Sequence, residues 1–278
     1  MTGAVAWIAA GVGLIAGCVV LPQPPPILAP DGKATLGATW GYVAAPVKVV
    51  ASTPSDAPVT LTQKTDGLSG ALLFDPRASF SGAVAPGWAL GGHLSWTTAG
   101  LELRALVSED PKRLVALTLG GQVDGPLLWS RSSEPRAYPG FAWEARVGVT
   151  IQPELTDRVQ LLLGVGASVG PRRHSVVVAD DTLGSGHGDG LRPVPELRLL
   201  RPELRAEGLF GVLVRPSWAA TPWLGFVVAA QPYVVAHAGD LAGVSCRSCS
   251  TAVVVESFSS TLGVAVTGTL VIGGPRRH

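Results

Sequence analysis

Two neighbouring stretches decide the fold: Phe141-Ala-Trp-Glu-Ala-Arg-Val-Gly-Val-Thr-Ile-Gln152 and Val159-Gln-Leu-Leu-Leu-Gly-Val-Gly-Ala-Ser-Val-Gly170. Read with period two, the first places Phe141, Trp143, Ala145, Val147, Val149 and Ile151 on one face. Ala142, Glu144, Arg146, Gly148, Thr150 and Gln152 fall on the other. The second sets Val159, Leu161, Leu163, Val165, Ala167 and Val169 against Gln160, Leu162, Gly164, Gly166, Ser168 and Gly170. Alternation of this kind belongs to strands whose two faces meet different surroundings. Strands of this length exceed the common ~5–6 residues of soluble sheets.

The same rhythm runs outward through the chain. It predicts strands at Ala34–Ala44, Trp88–Trp96, Gly100–Ser108, Leu114–Gly121, Glu203–Val214, Trp223–Val235 and Phe258–Ile272, with a weaker one near Ser69–Phe74. Ser108-Glu109-Asp110-Pro111 and Ser132-Ser133-Glu134-Pro135 punctuate it as turns. No amphipathic helix and no composition break interrupts it, so residues 33–278 read as one all-β domain.

Which face meets water is settled by composition. Of 278 residues, 47% are hydrophobic and 15% charged, against a usual ~25% charged. Only four lysines occur, none in the clearest strands, and the minor faces carry Gly, Ser, Thr and Ala. A soluble sheet would set Lys and Glu there. Small inward residues and long apolar outward faces suit a narrow barrel in lipid. Trp88, Trp96, Phe141, Trp143, Trp223, Tyr233 and Phe258, with Trp40 and Tyr42, stand near strand ends on the apolar faces, as interfacial girdles do. The expected fold is a single closed antiparallel transmembrane β-barrel of 8 or 10 strands. A soluble periplasmic β-sandwich or lipocalin-like binding barrel is the alternative. Over residues 33–272 the pattern resembles small bacterial outer-membrane β-barrel proteins, which implies the outer membrane and its lipid as the setting. The chain departs from that group in ending on Gly273-Gly274-Pro275-Arg276-Arg277-His278 rather than on an aromatic residue.

Charges on the inward faces recur at i, i+2. Glu102 is expected to pair with Arg104, Glu144 with Arg146, and Glu203 and Glu207 with Arg205, because a lone charge in a dry lumen is very costly. A filled lumen makes the barrel a structural or interaction protein rather than a wide pore. The partner is an envelope protein or a small apolar ligand, and the expected state is a monomer. The net charge of +1 argues against nucleic acid.

The amino terminus reads as a targeting segment. An apolar run from Ala4 to Val20 contains Leu14-Ile15-Ala16-Gly17-Cys18. Its end resembles the lipobox of bacterial lipoproteins, which implies cleavage after residue 17 and lipidation of Cys18; an uncleaved anchor is the other reading. Residues 18–32, with Pro22, Pro24, Pro25, Pro26 and Pro30, form an extended tether reaching roughly 40 Å. The other two cysteines, Cys246 and Cys249, fit a loop disulfide in an oxidising compartment; a redox pair or a zinc site are the alternatives.

Chemistry is sparse. His93, Ser95 and Glu102 share one face if Thr97–Gly100 turns a hairpin, and would then supply base, nucleophile and carboxylate for ester hydrolysis. They loosely resemble the His-x-Ser and downstream Glu of lipid A deacylase barrels. The plainer reading is a polar lumen cluster, and no enzyme activity is assigned. His174-Ser175 face opposite ways, the loop with Asp180, Asp181, His187 and Asp189 reads as solvated, and Arg172-Arg173 and Arg276-Arg277 are lipid-phosphate contacts at most. No cofactor or metal is called for.

Overall fold

The computed structural model describes residues 35–52, 59–63, 77–95, 98–110, 112–124, 141–177, 196–215, 224–247 and 253–273. The residues read as signal segment, Cys18 and tether, those expected as a weak strand near Ser69–Phe74, Trp96, Trp223, Cys249, residues 180–189 and Arg276-Arg277 lie outside the described residues, as do the side chains of Trp40, Tyr42 and Ser175.

The strands are β1 (Thr35–Ala44), β2 (Val47–Ser52), β3 (Val59–Gln63), β4 (Arg77–Ala85), β5 (Trp88–Leu94), β6 (Thr98–Asp110), β7 (Arg113–Asp124), β8 (Ala142–Thr156), β9 (Val159–Val177), β10 (Glu196–Val214), β11 (Leu224–Ala238), β12 (Gly243–Arg247), β13 (Val254–Ser260) and β14 (Leu262–Gly273). β1, β4 to β11 and β14 pair in a ring, closed by β10 with β11, β11 with β14 and β14 with β1. All ladders are antiparallel. The fold is a closed ten-stranded β-barrel, which removes the open edges a sheet would otherwise carry.

The two ends differ. At the end holding Thr35 and Gly273, β4–β5, β6–β7 and β8–β9 are joined by tight turns whose sequences dictate them, and β10–β11 by the longer segment 215–223. Pro86 presets its own φ and Gly87 takes φ +71°, the pair that a two-residue type II link needs. Asp110 Oδ1 accepts the Lys112 amide at 3.0 Å. Thr156 Oγ1 accepts the amides of Arg158 and Val159 at 3.3 and 3.1 Å. At the other end the connections are long, and two of them carry β2–β3 and β12–β13; the turn at Ser95–Thr98 is the short exception.

β9 and β10 outrun the barrel at that long-loop end. Pro171 and Pro202 face each other where this begins. Below them β9 pairs with β8 and β10 with β11; above them β12 replaces β11 beside β10. Proline lacks a ladder donor, so it suits the point where a strand changes neighbour. Opposite this extension stands a small sheet of β13, β2 and β3. Val47, Val49 and Ala51 from β2 bury against Val176 of β9 and Leu197 and Leu199 of β10, with Phe258, Val255 and Cys246 packed alongside. The barrel therefore carries an apolar cap on one mouth.

Polarity is inverted relative to a soluble protein. Val165 is 70% exposed, Leu119 63% and Val228 62%, while Arg77, Ser168 and Thr267 are at most 1% exposed. Two sequence expectations are corrected here. Phe258–Ile272 is not one strand: the chain passes from β13 to β14 at Thr261, whose carbonyl accepts the Val235 amide. The alternation slips there, with Thr261 and Leu262 both exposed, and Phe258 turns into the cap core instead of outward. Tyr233 also leaves the outer girdle. It shares the inward parity of Val227, Ala229 and Gln231, stands over Gly263 where a Cβ would overlap its phenol, and lies under the Arg205 guanidinium at 4.1 Å.

Candidate functional site

The lumen is layered. Nearest the tight turns, Leu162, Leu209, Leu213, Val227, Ala229 and Val271 form an apolar floor along β9, β10, β11 and β14, and Leu114 and Ala116 form another on β7. Above them lies a layer of charge, and above that the apolar cap.

The charged layer is cross-linked between strands. Glu144 on β8 accepts Arg172 Nη1 of β9 at 2.5 Å and Gln122 Nε2 of β7 at 3.1 Å. Arg172 Nη2 donates to Ser168 Oγ at 2.9 Å and lies 3.8 Å from Glu207; Ser168 in turn donates to Glu207. Arg146 Nε reaches the other Glu207 oxygen at 3.1 Å. Glu102 and Arg104 form an ion pair on β6, and Arg104 Nη1 donates to Ser81 of β4 at 2.8 Å. The expected partner of Glu144, Arg146, belongs instead to Glu207, because the register sets Glu207 level with Gly166 and Gly166 level with Gly148, and side-chain-free glycine on β9 lets Arg146 reach over it to β10.

Nearer the cap, Glu203 is enclosed. Its Oε1 meets His174 Nε2 at 2.9 Å and Arg201 Nη2 at 2.9 Å, and its Oε2 meets Arg205 Nη2 at 2.6 Å. Arg201 also donates to the carbonyls of Phe258 and Ser260 at 3.2 and 3.1 Å, and its guanidinium stacks 4.5 Å from the Phe258 ring. One carboxylate and one arginine thus tie the extended β10 wall to the β13 side of the cap. Buried charges persist only when paired and hydrogen-bonded in this way.

Glycine makes room for the network. Gly100 on β6 faces His93 on β5, and the imidazole lies over it beside Gln122 of β7. A Cβ at position 100 would overlap the ring, lying 2.9 Å from Nδ1. At Gly91 a Cβ would lie 2.7 Å from Glu102 and 2.8 Å from Arg104.

His93, Ser95 and Glu102 do share the lumen face, yet their geometry is not that of a nucleophile, base and carboxylate. The hairpin turns at Ser95–Thr98, so Glu102 sits across from Gly91 rather than Ser95. Ser95 Oγ accepts the Thr98 amide at 3.0 Å and contacts Thr98 Oγ1 at 3.1 Å, so it caps the turn. Glu102 is held by Arg104, and His93 Nε2 has no partner among the described residues. Cys246 is disulfide-bonded and packs against the cap core. Among the described residues, no group of His, Cys, Asp and Glu could hold a metal ion.

Sequence reasoning missed Arg172, His174 and Arg201. The predicted strands stop at Gly170 and resume at Glu203, short of all three. Instead Gly170 adopts φ +154° and the strand continues, carrying Arg172 and His174 on the inward beat of Ser168 and Gly170. Continuing the period through Gly170-Pro171 would have found both, and Arg172 is a lumen residue rather than a lipid-phosphate contact.

No family model matches the chain, and no curated protein does. Among solved structures the chain is similar to the outer membrane protease OmpT from Escherichia coli, at 9% identity over 89% of this chain and 98% of that one, with a TM-score of 0.46. It is similar to Neisserial surface protein A at 9% identity, over 87% and 96% of the two chains, with a TM-score of 0.30. For Ail, the attachment invasion locus protein of Yersinia pestis, the figures are 10% identity, 87%, 99% and 0.27. The barrel itself is established by the register of its own strands.

Proposed function

We propose that this protein is an outer-membrane β-barrel lipoprotein, anchored by lipidated Cys18 and by its own barrel, with a filled lumen and a structural or interaction role at the cell surface. The observation that carries the reading is the inverted polarity: buried Arg, Glu and Gln cross-link the lumen while Val, Leu, Trp and Phe cover the outside. Water would not tolerate that exterior as a continuous surface, whereas a bilayer requires it. Trp88 near the tight-turn end and Trp143 near the other mark the two bilayer boundaries.

Orientation follows from the unequal ends. Barrels of this class place short turns in the periplasm and long loops outside the cell. Thr35 and Gly273 stand at the short-turn end, where a tether from a periplasmic-face lipid anchor would join β1. The cap, with its disulfide-bonded Cys246, is then presented at the surface. Apolar floor, ion-pair layer and cap leave no wide bore, so the surface cap rather than transport carries the role.

Planar-bilayer recording with purified protein tests this. Membrane insertion without a stable open-channel conductance is expected, and a steady large conductance would overturn the filled-lumen reading. The hydrolase alternative has its own test, the acylation of lipid A in cells expressing wild type or Ser95→Ala. With Ser95 committed to its turn, no difference is expected.

A further inference from the structure

We infer that the lumen binds water as a structural ligand, at a site between the ion-pair layer and the apolar floor. The inference deepens the filled-lumen reading and rests on it. A cavity lies there, lined by Glu102, Thr118, Arg146, Thr150, Gly164 and Leu209. It exists because β8 and β9 present glycine to the lumen: Gly148 faces Gly166, and Thr150 faces Gly164. Adding a side chain would close it, since a Cβ on Gly164 would lie 3.3 Å from the Cβ of Leu209. The accessible space amounts to about one water molecule.

The chemistry around that space asks for one. Thr118 is buried between Arg104 and Gly148 in register, and its Oγ1 has no hydrogen-bond partner among the described residues. Around it stand the Glu102 carboxylate, which accepts; the Arg146 guanidinium, which donates; and the Thr150 hydroxyl, which does either. A buried water needs two to four such partners.

Thr118 is not isolated in this respect. His93 Nε2, Glu144 Oε1, Ser260 Oγ and Thr267 Oγ1 are also buried without a partner among the described residues. A dry, unsatisfied polar atom forfeits its whole desolvation cost, and several together would rival the net stability of an ordinary domain. Apolar cavities stay dry, but in this one polar groups of Glu102, Thr118, Arg146 and Thr150 share the wall about equally with apolar atoms of Val149, Val165 and Leu209.

The test uses the sign of one isosteric substitution. Thr118→Val keeps the shape and deletes the hydroxyl; Thr118→Ser keeps the hydroxyl. Both are read as the midpoint of heat modification of the folded barrel on gels, alongside water-to-protein magnetisation transfer at the Thr118 and Gly148 amides in micelles. Hydration predicts that Thr118→Val lowers the midpoint by roughly 2–4 °C, that Thr118→Ser stays near wild type, and that transfer at both amides weakens only in the valine variant. A dry site predicts the reverse sign, because removing an unsatisfied hydroxyl relieves the fold. A midpoint raised or unchanged in Thr118→Val, or absence of transfer in the wild type, would overturn the inference. Absence of any heat-modifiable form in the wild type would instead sink the membrane-barrel reading beneath it.

Discussion

Neutralising Glu203 removes the anion that three buried cationic or hydrogen-bonding groups share. Its side chain is fully buried, and it takes His174 and Arg201 on one oxygen and Arg205 on the other, at 2.6 to 2.9 Å between ion-paired atoms. Glu203→Gln keeps the volume and removes the charge, leaving two arginines buried around a neutral amide. Breaking a buried ion pair by deleting one partner costs about 3–5 kcal/mol, because the other charge is stranded. Arg201 keeps its bonds to the Phe258 and Ser260 carbonyls, which places the expected loss nearer 3 kcal/mol than 5. Reversible guanidinium unfolding in detergent micelles reads it, with exposed Glu256→Gln as the control. The control should lie within about 0.5 kcal/mol of wild type. Equal midpoints for Glu203→Gln and Glu256→Gln would refute the claim that this cluster holds the cap to the barrel.

Gly100→Ala drives a methyl into the His93 ring and should cost about 1–3 kcal/mol, with much of the loss recovered when His93→Ala is added; the same unfolding assay decides. Leu119→Arg puts a charge on the outer face near the middle of β7 and should cost about 2–4 kcal/mol in bilayers, whereas a soluble barrel would tolerate it. Palmitate labelling of wild type but not of Cys18→Ala is expected, and labelling that survives the substitution would remove the anchor.

The outward and inward beats of β8 and β9 were legible because a closed barrel sets apolar Val and Leu on its outer face opposite Gly, Ser and Arg in a crowded lumen. The positions of Glu102, Glu144, Glu203 and Glu207 on the inward face followed from the same beat. Their partners were not legible. Arg146 reaches Glu207 and Arg172 reaches Glu144 because the β8–β9 and β9–β10 registers bring these residues together across strands, and i, i+2 spacing along one strand does not contain that information. The cap was hidden for a related reason. β2, β3, β12 and β13 are short, and the alternation is read only as far as Gly170 although β9 runs on through Pro171 to Val177. Tyr233 was misplaced because an aromatic near a strand end reads as a girdle residue, whereas Gly263 opens a lumen slot that its ring fills.

The central claim is that lipid, not water, covers the odd-numbered face of β9. Nitroxide labels placed singly from Gln160 to Gly170 measure it, by relaxation with molecular oxygen, which partitions into lipid, and with a water-soluble nickel chelate. Labels at Leu161, Leu163, Val165 and Ala167 should be relaxed by oxygen and shielded from nickel, while labels at Leu162, Gly164, Gly166 and Ser168 should be shielded from both. Strong nickel relaxation across the odd positions would mean that this face stands in water, and the barrel would not be a membrane protein.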